Sequence, residues 1–132
     1  MSPEGAKGQA VRGLWEMALR SLEAAQRERE AGDLHFAINR AYYAAFYAVS
    51  AALLERGRKL KKHAGVQSAF HEEFIKTGQL DPKWGRFYDR LFEDRREGDY
   101  VVFTTFEADF VQHQIERCRA FLQVIKPFLS SP

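Results

Sequence analysis

Cysteine is almost absent from this chain. Cys118 stands alone among 132 residues, which excludes an intramolecular disulfide and fits a reducing compartment. Long apolar runs are missing as well. None approaches the ~20 residues that a membrane-spanning helix needs, and the polar opening residues lack the apolar segment of a secretory signal. The expectation is a cytoplasmic protein with no membrane association. Neither charge sign dominates: the formal net charge is +2, so composition alone does not mark a nucleic-acid binder. Asparagine occurs once, at Asn39, while Arg and Glu are frequent, a composition that leans towards a heat-adapted source. There is no Gly-rich phosphate loop, no G-x-S-x-G elbow and no Cys-His pair on adjoining turns, which removes three enzyme classes. The histidines (His35, His63, His71, His113) lack metal-ligand spacing. His71-Glu72-Glu73-Phe74-Ile75 begins like a zinc-protease helix motif, but Ile75 stands where the second histidine belongs. No metal and no cofactor is expected.

What is present is helical periodicity. A hydrophobic fraction of 45% with 14% aromatics describes a folded globule of one domain. It is expected over residues 10–128, with residues 1–9 flexible. The stretch Asn39–Tyr47 and the apolar run to Leu54 read as a central helix, N-capped by Asp33 and closed by Gly57. Two stripes run along it: Ile38, Tyr42, Phe46, Val49, Leu53, and Phe36, Tyr43, Tyr47, Ala51, Leu54. Together they predict contacts on several sides, and the alanines at 41, 44, 45, 48, 51 and 52 allow close approach.

Other segments follow the same period. Val11, Leu14, Trp15, Ala18, Leu22 and Ala25 mark the inner face of a first helix. Gly32-Asp33 is so short a break that the first two helices must be antiparallel neighbours. Val66, Phe70 and Phe74 mark a third helix ending at Thr77-Gly78. Trp84, Phe87, Tyr88, Leu91 and Phe92 mark a fourth opened by Asp81-Pro82, and its aromatics also offer a dimer surface. Thr104 and Glu107 form a capping box for the last, whose inner face carries Val111, Ile115, Cys118, Leu122 and Ile125. Cys118 therefore reads as a small buried hydrophobe, and Val101-Val102-Phe103 as extended chain too short for a sheet. The expected fold is all-α: an up-and-down bundle of four long helices plus one shorter helix.

Five of the seven residues from 56 to 62 are basic and His63 follows at once. Either this is a solvated connector with cations at a helix C-terminus, or it binds an anion. Four residues separate Arg58 from His63, and six separate Arg56 from it. A histidine can move a proton and a guanidinium can grip a phosphate. Such a pair suffices in principle for metal-free RNA cleavage, with a second copy across a dimer interface supplying the other proton transfer. Arg40, with Phe36, Tyr43 and Ala44 at helical spacing, needs a carboxylate or an anion. It either pairs with Asp94 or Asp99 between packed helices, or joins Lys62 and His63 in a phosphate pocket where Tyr42 or Tyr43 stacks a base.

Asn39-Arg40-Ala41-Tyr42-Tyr43-Ala44-Ala45-Phe46-Tyr47, Lys62-His63-Ala64-Gly65-Val66 and Arg95-Arg96-Glu97-Gly98-Asp99-Tyr100 together resemble the short stand-alone HEPN-domain proteins of prokaryotes, from about residue 10 to 128. The resemblance implies an up-and-down helical bundle, a homodimer, and work beside a small nucleotidyltransferase in a toxin–antitoxin or related system. Many HEPN proteins are metal-independent ribonucleases with an Arg-x(4–6)-His motif, which here assigns Arg58 (or Arg56) and His63 to catalysis. Arg40, Lys62 and Tyr43 are then candidates for ligand or phosphate binding, and Asp94, Arg95, Asp99 and Tyr100 for the polar framework. Three functions stay open: a nucleotide- or RNA-binding module, a ribonuclease toxin, and a non-catalytic helical interaction protein.

Overall fold

A proline in the first turn and a serine ahead of it start the chain's first helix. In the computed structural model, which describes residues 2–100 and 105–130 and the side chains of all but 97–100, α1 spans Pro3–Glu30. Ser2 caps it by accepting from the Gly5 N–H at 3.0 Å. The helix thus begins within the stretch that the sequence leaves outside the domain. Its end is a two-bond glycine cap: Asp33 N–H donates to Glu28 O and Gly32 N–H to Arg29 O, with Gly32 at φ +84, a conformation that costs glycine nothing.

The central helix, α2, spans Leu34–Glu55. Asp33 is its N-cap residue, although the side chain makes no cap bond. The same glycine device closes it: Gly57 N–H donates to Leu54 O and Arg58 N–H to Leu53 O. A hydrogen-bonded cap therefore fixes where the basic connector leaves the bundle. α3 spans His63–Phe70 and runs on as one π turn, His71–Ile75, where Lys76 N–H reaches back to His71 O. α4 covers Pro82–Tyr100 and α5 covers Ala108–Ile125, with a 3₁₀ turn at Lys126–Phe128. Among the described residues there is no strand, and the architecture is all-α: four long helices and a shorter one.

α2 packs against α1, α3, α4 and α5. Its buried residues are mostly alanines, with Ile38, Tyr42, Val49 and Leu53 between them, so neighbouring backbones come close. From α5, Val111, Ile115, Cys118 and Leu122 enter the core. The Cys118 Sγ–H donates to Ala41 O, and burial pushes the thiol up to about 12. Such a thiol is an inert packing group.

Three expectations need correction. Phe87 and Tyr88 are buried, and with Trp84 they pack on Phe121 of α5, so they build core instead of a dimer surface. Glu107 is itself the N-cap residue of α5, in extended backbone and without a side-chain cap bond, while Thr104 and the tripeptide 101–103 lie outside the described residues. Four of the five residues in α2's second stripe stay partly uncovered: Phe36 is 57% exposed, and Tyr43, Tyr47 and Leu54 are half-buried.

Candidate functional site

His63 is the first residue of α3 and lands on the aromatic side of α2. Its ring stacks on Phe46 with centroids 4.5 Å apart and meets Tyr43 edge-on at 5.6 Å. The Tyr42 hydroxyl lies 2.6 Å from Nδ1. Burial pushes the Tyr42 phenol up to about 12, so it stays protonated at neutral pH. That hydroxyl donates to Nδ1 in one ring tautomer and accepts from Nδ1–H in the other. Burial first, and the Arg95 guanidinium second, hold the His63 pKa below its ordinary 6.5. The imidazole is therefore neutral at neutral pH.

Arg95 comes from α4 and lies over the rings of Tyr42 and Tyr43, 5.5 and 5.7 Å from their centroids. Its Nη2 donates to the Tyr43 hydroxyl at 3.4 Å. This is a cation–π arrangement that also presents positive charge to His63. Arg95 is thus the charged neighbour that His63 feels.

The two arginines of the motif are held elsewhere. Arg58 reaches Glu73 at 3.1 Å and Glu72 at 3.5 Å, and these carboxylates keep its guanidinium protonated beyond its ordinary range. Arg56 pairs with Glu73 at 3.4 Å, donates to Gln79 and lies 4.0 Å from the Phe74 ring centroid. The π turn supplies both glutamates. The lysines of the connector differ: Lys59, Lys61 and Lys62 are exposed, and among the described residues none has a carboxylate within ion-pair distance. Lys62 is the N-cap residue of α3, with its carbonyl accepting from Val66 N–H.

Arg40 is a correction. It is exposed and lines an open cleft of about 520 Å³ between α1 and α2, beside Arg20, Arg27 and Glu28. It neither pairs with Asp94 nor lies with Lys62 and His63. The reason is helical phase. Arg40 shares the outward arc of α2 with Phe36, Tyr43 and Tyr47, so its aromatic neighbours enclose no pocket. Asp94 is buried and gripped by Arg90 one turn earlier, at 2.9 and 3.0 Å. The side chains of Asp99 and Tyr100 lie outside the described residues.

A second polar cluster escaped the sequence reading. His71 Nε2 lies 2.9 Å from Asp89 Oδ1, which also accepts from Gln67 Nε2 at 2.8 Å. The His71 ring packs on Gly85, where a Cβ would stand 2.7 Å from its Cε1. Nothing local in sequence announces this pairing across α3 and α4. Among the described residues, no three His, Cys, Asp or Glu side chains gather as a metal site would need, and no helix is long and apolar enough to cross a membrane.

Comparison with known proteins places this arrangement. The sequence pattern of the HEPN domain matches residues 11–127. A UPF0332 protein of Thermotoga maritima is 46% identical over 96 residues, 73% of this chain and 73% of that protein. A Methanocaldococcus jannaschii protein that carries the name "Putative toxin MJ0142" is 33% identical over 118 residues, 89% of this chain and 80% of its own length. A second protein of that organism, similarly named as a toxin, is 32% identical over 108 residues, 80% of this chain and 81% of its own.

Proposed function

Because the chain belongs to the HEPN domain family, we propose that it is a toxin-like HEPN module that binds RNA or nucleotide phosphate. In this reading it works in the cytoplasm as a homodimer beside a small nucleotidyltransferase. The toxin names of its relatives support the coarse assignment. The observation that carries the binding role is the second half of the connector. Lys59, Lys61 and Lys62 stand exposed and unneutralised among the described residues, and they lead directly into His63. Three such cations on a capped, fixed segment form an electrostatic footprint for a phosphate chain. The test is anisotropy of a labelled single-stranded RNA across a salt series. Affinity should fall with a log–log slope of about −2, since each lysine–phosphate contact on a single strand contributes roughly −0.7. The triple variant Lys59→Ala/Lys61→Ala/Lys62→Ala should flatten that slope. A flat slope in the parent would leave a helical interaction protein with a solvated connector.

One observation favours a second reading, metal-independent RNA cleavage. His63 is a neutral imidazole with Nδ1 occupied and a guanidinium nearby, which suits proton transfer beside a phosphate. The arginine of that site would be Arg95, since Glu72 and Glu73 hold Arg58. Cutting of a structured RNA in EDTA, lost in His63→Ala and Arg95→Ala but kept in Arg58→Ala, would establish it. No cutting by the parent would remove it.

A further inference from the structure

Five rings fix the place of the Tyr42 hydroxyl. The side chain is fully buried and packs on Tyr43, Phe46, His63, Tyr88 and Phe92, with centroids 5.4–6.0 Å away. Held in this way, the phenol meets one ring atom of His63, Nδ1, at 2.6 Å. Nε2 has no hydrogen-bond partner among the described residues. Behind the phenol, on α4, stands Tyr88. It too is fully buried, and its hydroxyl oxygen has no hydrogen-bond partner among the described residues. Burial first, and then the neighbouring Tyr42 phenol, push the Tyr88 hydroxyl well above its ordinary 10. Both phenols therefore keep their protons wherever an imidazole titrates. A buried hydroxyl left unpaired is costly, so the Tyr88 oxygen gains whenever the phenol beside it turns to donate.

We propose that Tyr42 is a positioning residue for His63: its hydroxyl keeps Nδ1 hydrogen-bonded whether or not that nitrogen carries a proton, and so leaves Nε2 as the atom at which the ring trades protons. The inference deepens the metal-independent cleavage reading above and rests on it. A hydroxyl is both donor and acceptor. In the Nε2–H form of the neutral ring it donates to Nδ1. In the Nδ1–H form, and in the imidazolium, it accepts from Nδ1–H, and its own proton turns towards the Tyr88 oxygen. When the bare Nε2 takes a proton from a ribose hydroxyl the ring becomes an imidazolium, and when it gives that proton to a departing oxygen the ring is neutral again. The Nδ1–H bond is in place throughout. A carboxylate like the one facing His71 would serve less well here, because an anion favours the charged ring, whereas a phenol bonds either form. The other titratable groups facing His63 are Tyr43 of α2 and Arg95 of α4.

The experiment follows the His63 ring nitrogens through an acid titration of the full chain, by long-range proton–nitrogen correlation, beside Tyr42→Phe, Tyr88→Phe and the double variant. Hydrogen bonds to a charged group are the stronger ones, so loss of the hydroxyl harms the imidazolium more than the neutral ring. In Tyr42→Phe the proton affinity of His63 should fall about three-fold or more, which carries its pKa further below 6.5. In Tyr88→Phe it should fall by less. The double variant should match Tyr42→Phe, because Tyr88 acts only through Tyr42. In EDTA, the acid limb of the rate profile for cutting a structured RNA should move to lower pH by the same factor, with KM unchanged. A proton affinity that rises in Tyr42→Phe means that the hydroxyl bonds only the neutral ring, and overturns the proposal; an unchanged affinity overturns it too. If Tyr42→Phe fails to fold, the parent and Tyr88→Phe supply the test: at low pH the parent must show an exchange-protected Nδ1 proton that Tyr88→Phe weakens, and its absence overturns the proposal. A parent that titrates as expected but cuts no RNA overturns the cleavage reading, and with it the catalytic use of the pair, while the bond itself stands.

Discussion

His63 and His71 bracket α3, and they are unlike in every respect that matters to chemistry. Both are half-buried and both make one short polar contact. His71 faces a carboxylate and is wedged against the backbone at Gly85. His63 shares a hydrogen bond with a phenol, stacks on Phe46, and has a guanidinium as its charged neighbour. An acid partner and a tight wall make His71 a strut between α3 and α4. An aromatic platform and a cationic surround make His63 a neutral ring at the edge of a basic strip, suited to meeting an anion. The environment, not the residue type, decides which histidine has work to do.

The sharpest way to break that comparison is at Gly85. Alanine there should gain about 1 kcal/mol of helix propensity. The added methyl meets His71 Cε1 at 2.7 Å and Ile75 at 3.3 Å, and overpacking of this kind costs about 1–3 kcal/mol. Because Asp89 pins the ring, the clash should fall in the upper part of that range, and Gly85→Ala should lower the stability read from the urea midpoint at constant m-value by a net ~1–2 kcal/mol. The double variant Gly85→Ala/His71→Ala should recover most of that loss. An unchanged or raised midpoint in the single variant would mean that His71 is no strut.

A smaller effect tests the surroundings of His63 by pH. Since the folded His63 pKa lies below 6.5, mainly through burial and then through Arg95, the unfolded chain binds the proton first as pH falls. Stability from this residue is complete above about 6.5 and declines as pH drops through the unfolded value towards the folded one. The groups facing the ring are Tyr42, Tyr43, Phe46 and Arg95, and the Tyr42 phenol remains protonated throughout that window. His63→Phe keeps an aromatic ring on Phe46 and removes the titration. The parent should therefore lose stability relative to His63→Phe as pH falls from 7 to 5. A difference that stays constant, or grows the other way, would show the imidazole to be solvated.

The helical plan was legible because its punctuation is local. Gly32, Gly57 and Gly78 all take positive φ at helix ends, and the apolar spacing between them has one period. The burial of Cys118 could be read from α5 for the same reason. What could not be read was which outer arc of α2 stays uncovered. Spacing surrounds Arg40 with aromatic neighbours, yet those neighbours are themselves outward. The basic connector and His63 were visible as composition and order. That Arg95 is the charged neighbour of His63 while Arg58 is paired with glutamates was not, because it depends on two meetings between distant segments. One is α4 crossing Tyr42 and Tyr43. The other is the π turn, which carries Glu72 and Glu73 to the connector, and no local pattern in the sequence marks that turn. The start of α5 at Ala108 similarly eluded a capping box that fits the letters at 104 and 107.

The last contrast lies within the connector itself, between the arginines tied to the π turn and the lysines left in solvent. Arg58 is the half-buried partner of two carboxylates near the surface, and such pairs contribute little to stability. Arg58→Ala should therefore leave the urea midpoint within measurement error. It should also change RNA affinity less than Lys61→Ala does, because a guanidinium already paired releases few counterions from RNA. Glu72→Gln/Glu73→Gln sharpens the point by freeing both arginines while adding no cation. RNA affinity at low salt should then rise by roughly several-fold, and Arg58→Ala on that background should reverse part of the gain. If the two glutamine substitutions leave RNA affinity unchanged, the glutamates are not what keeps Arg58 from the phosphate chain, and the arginine simply points away from its path.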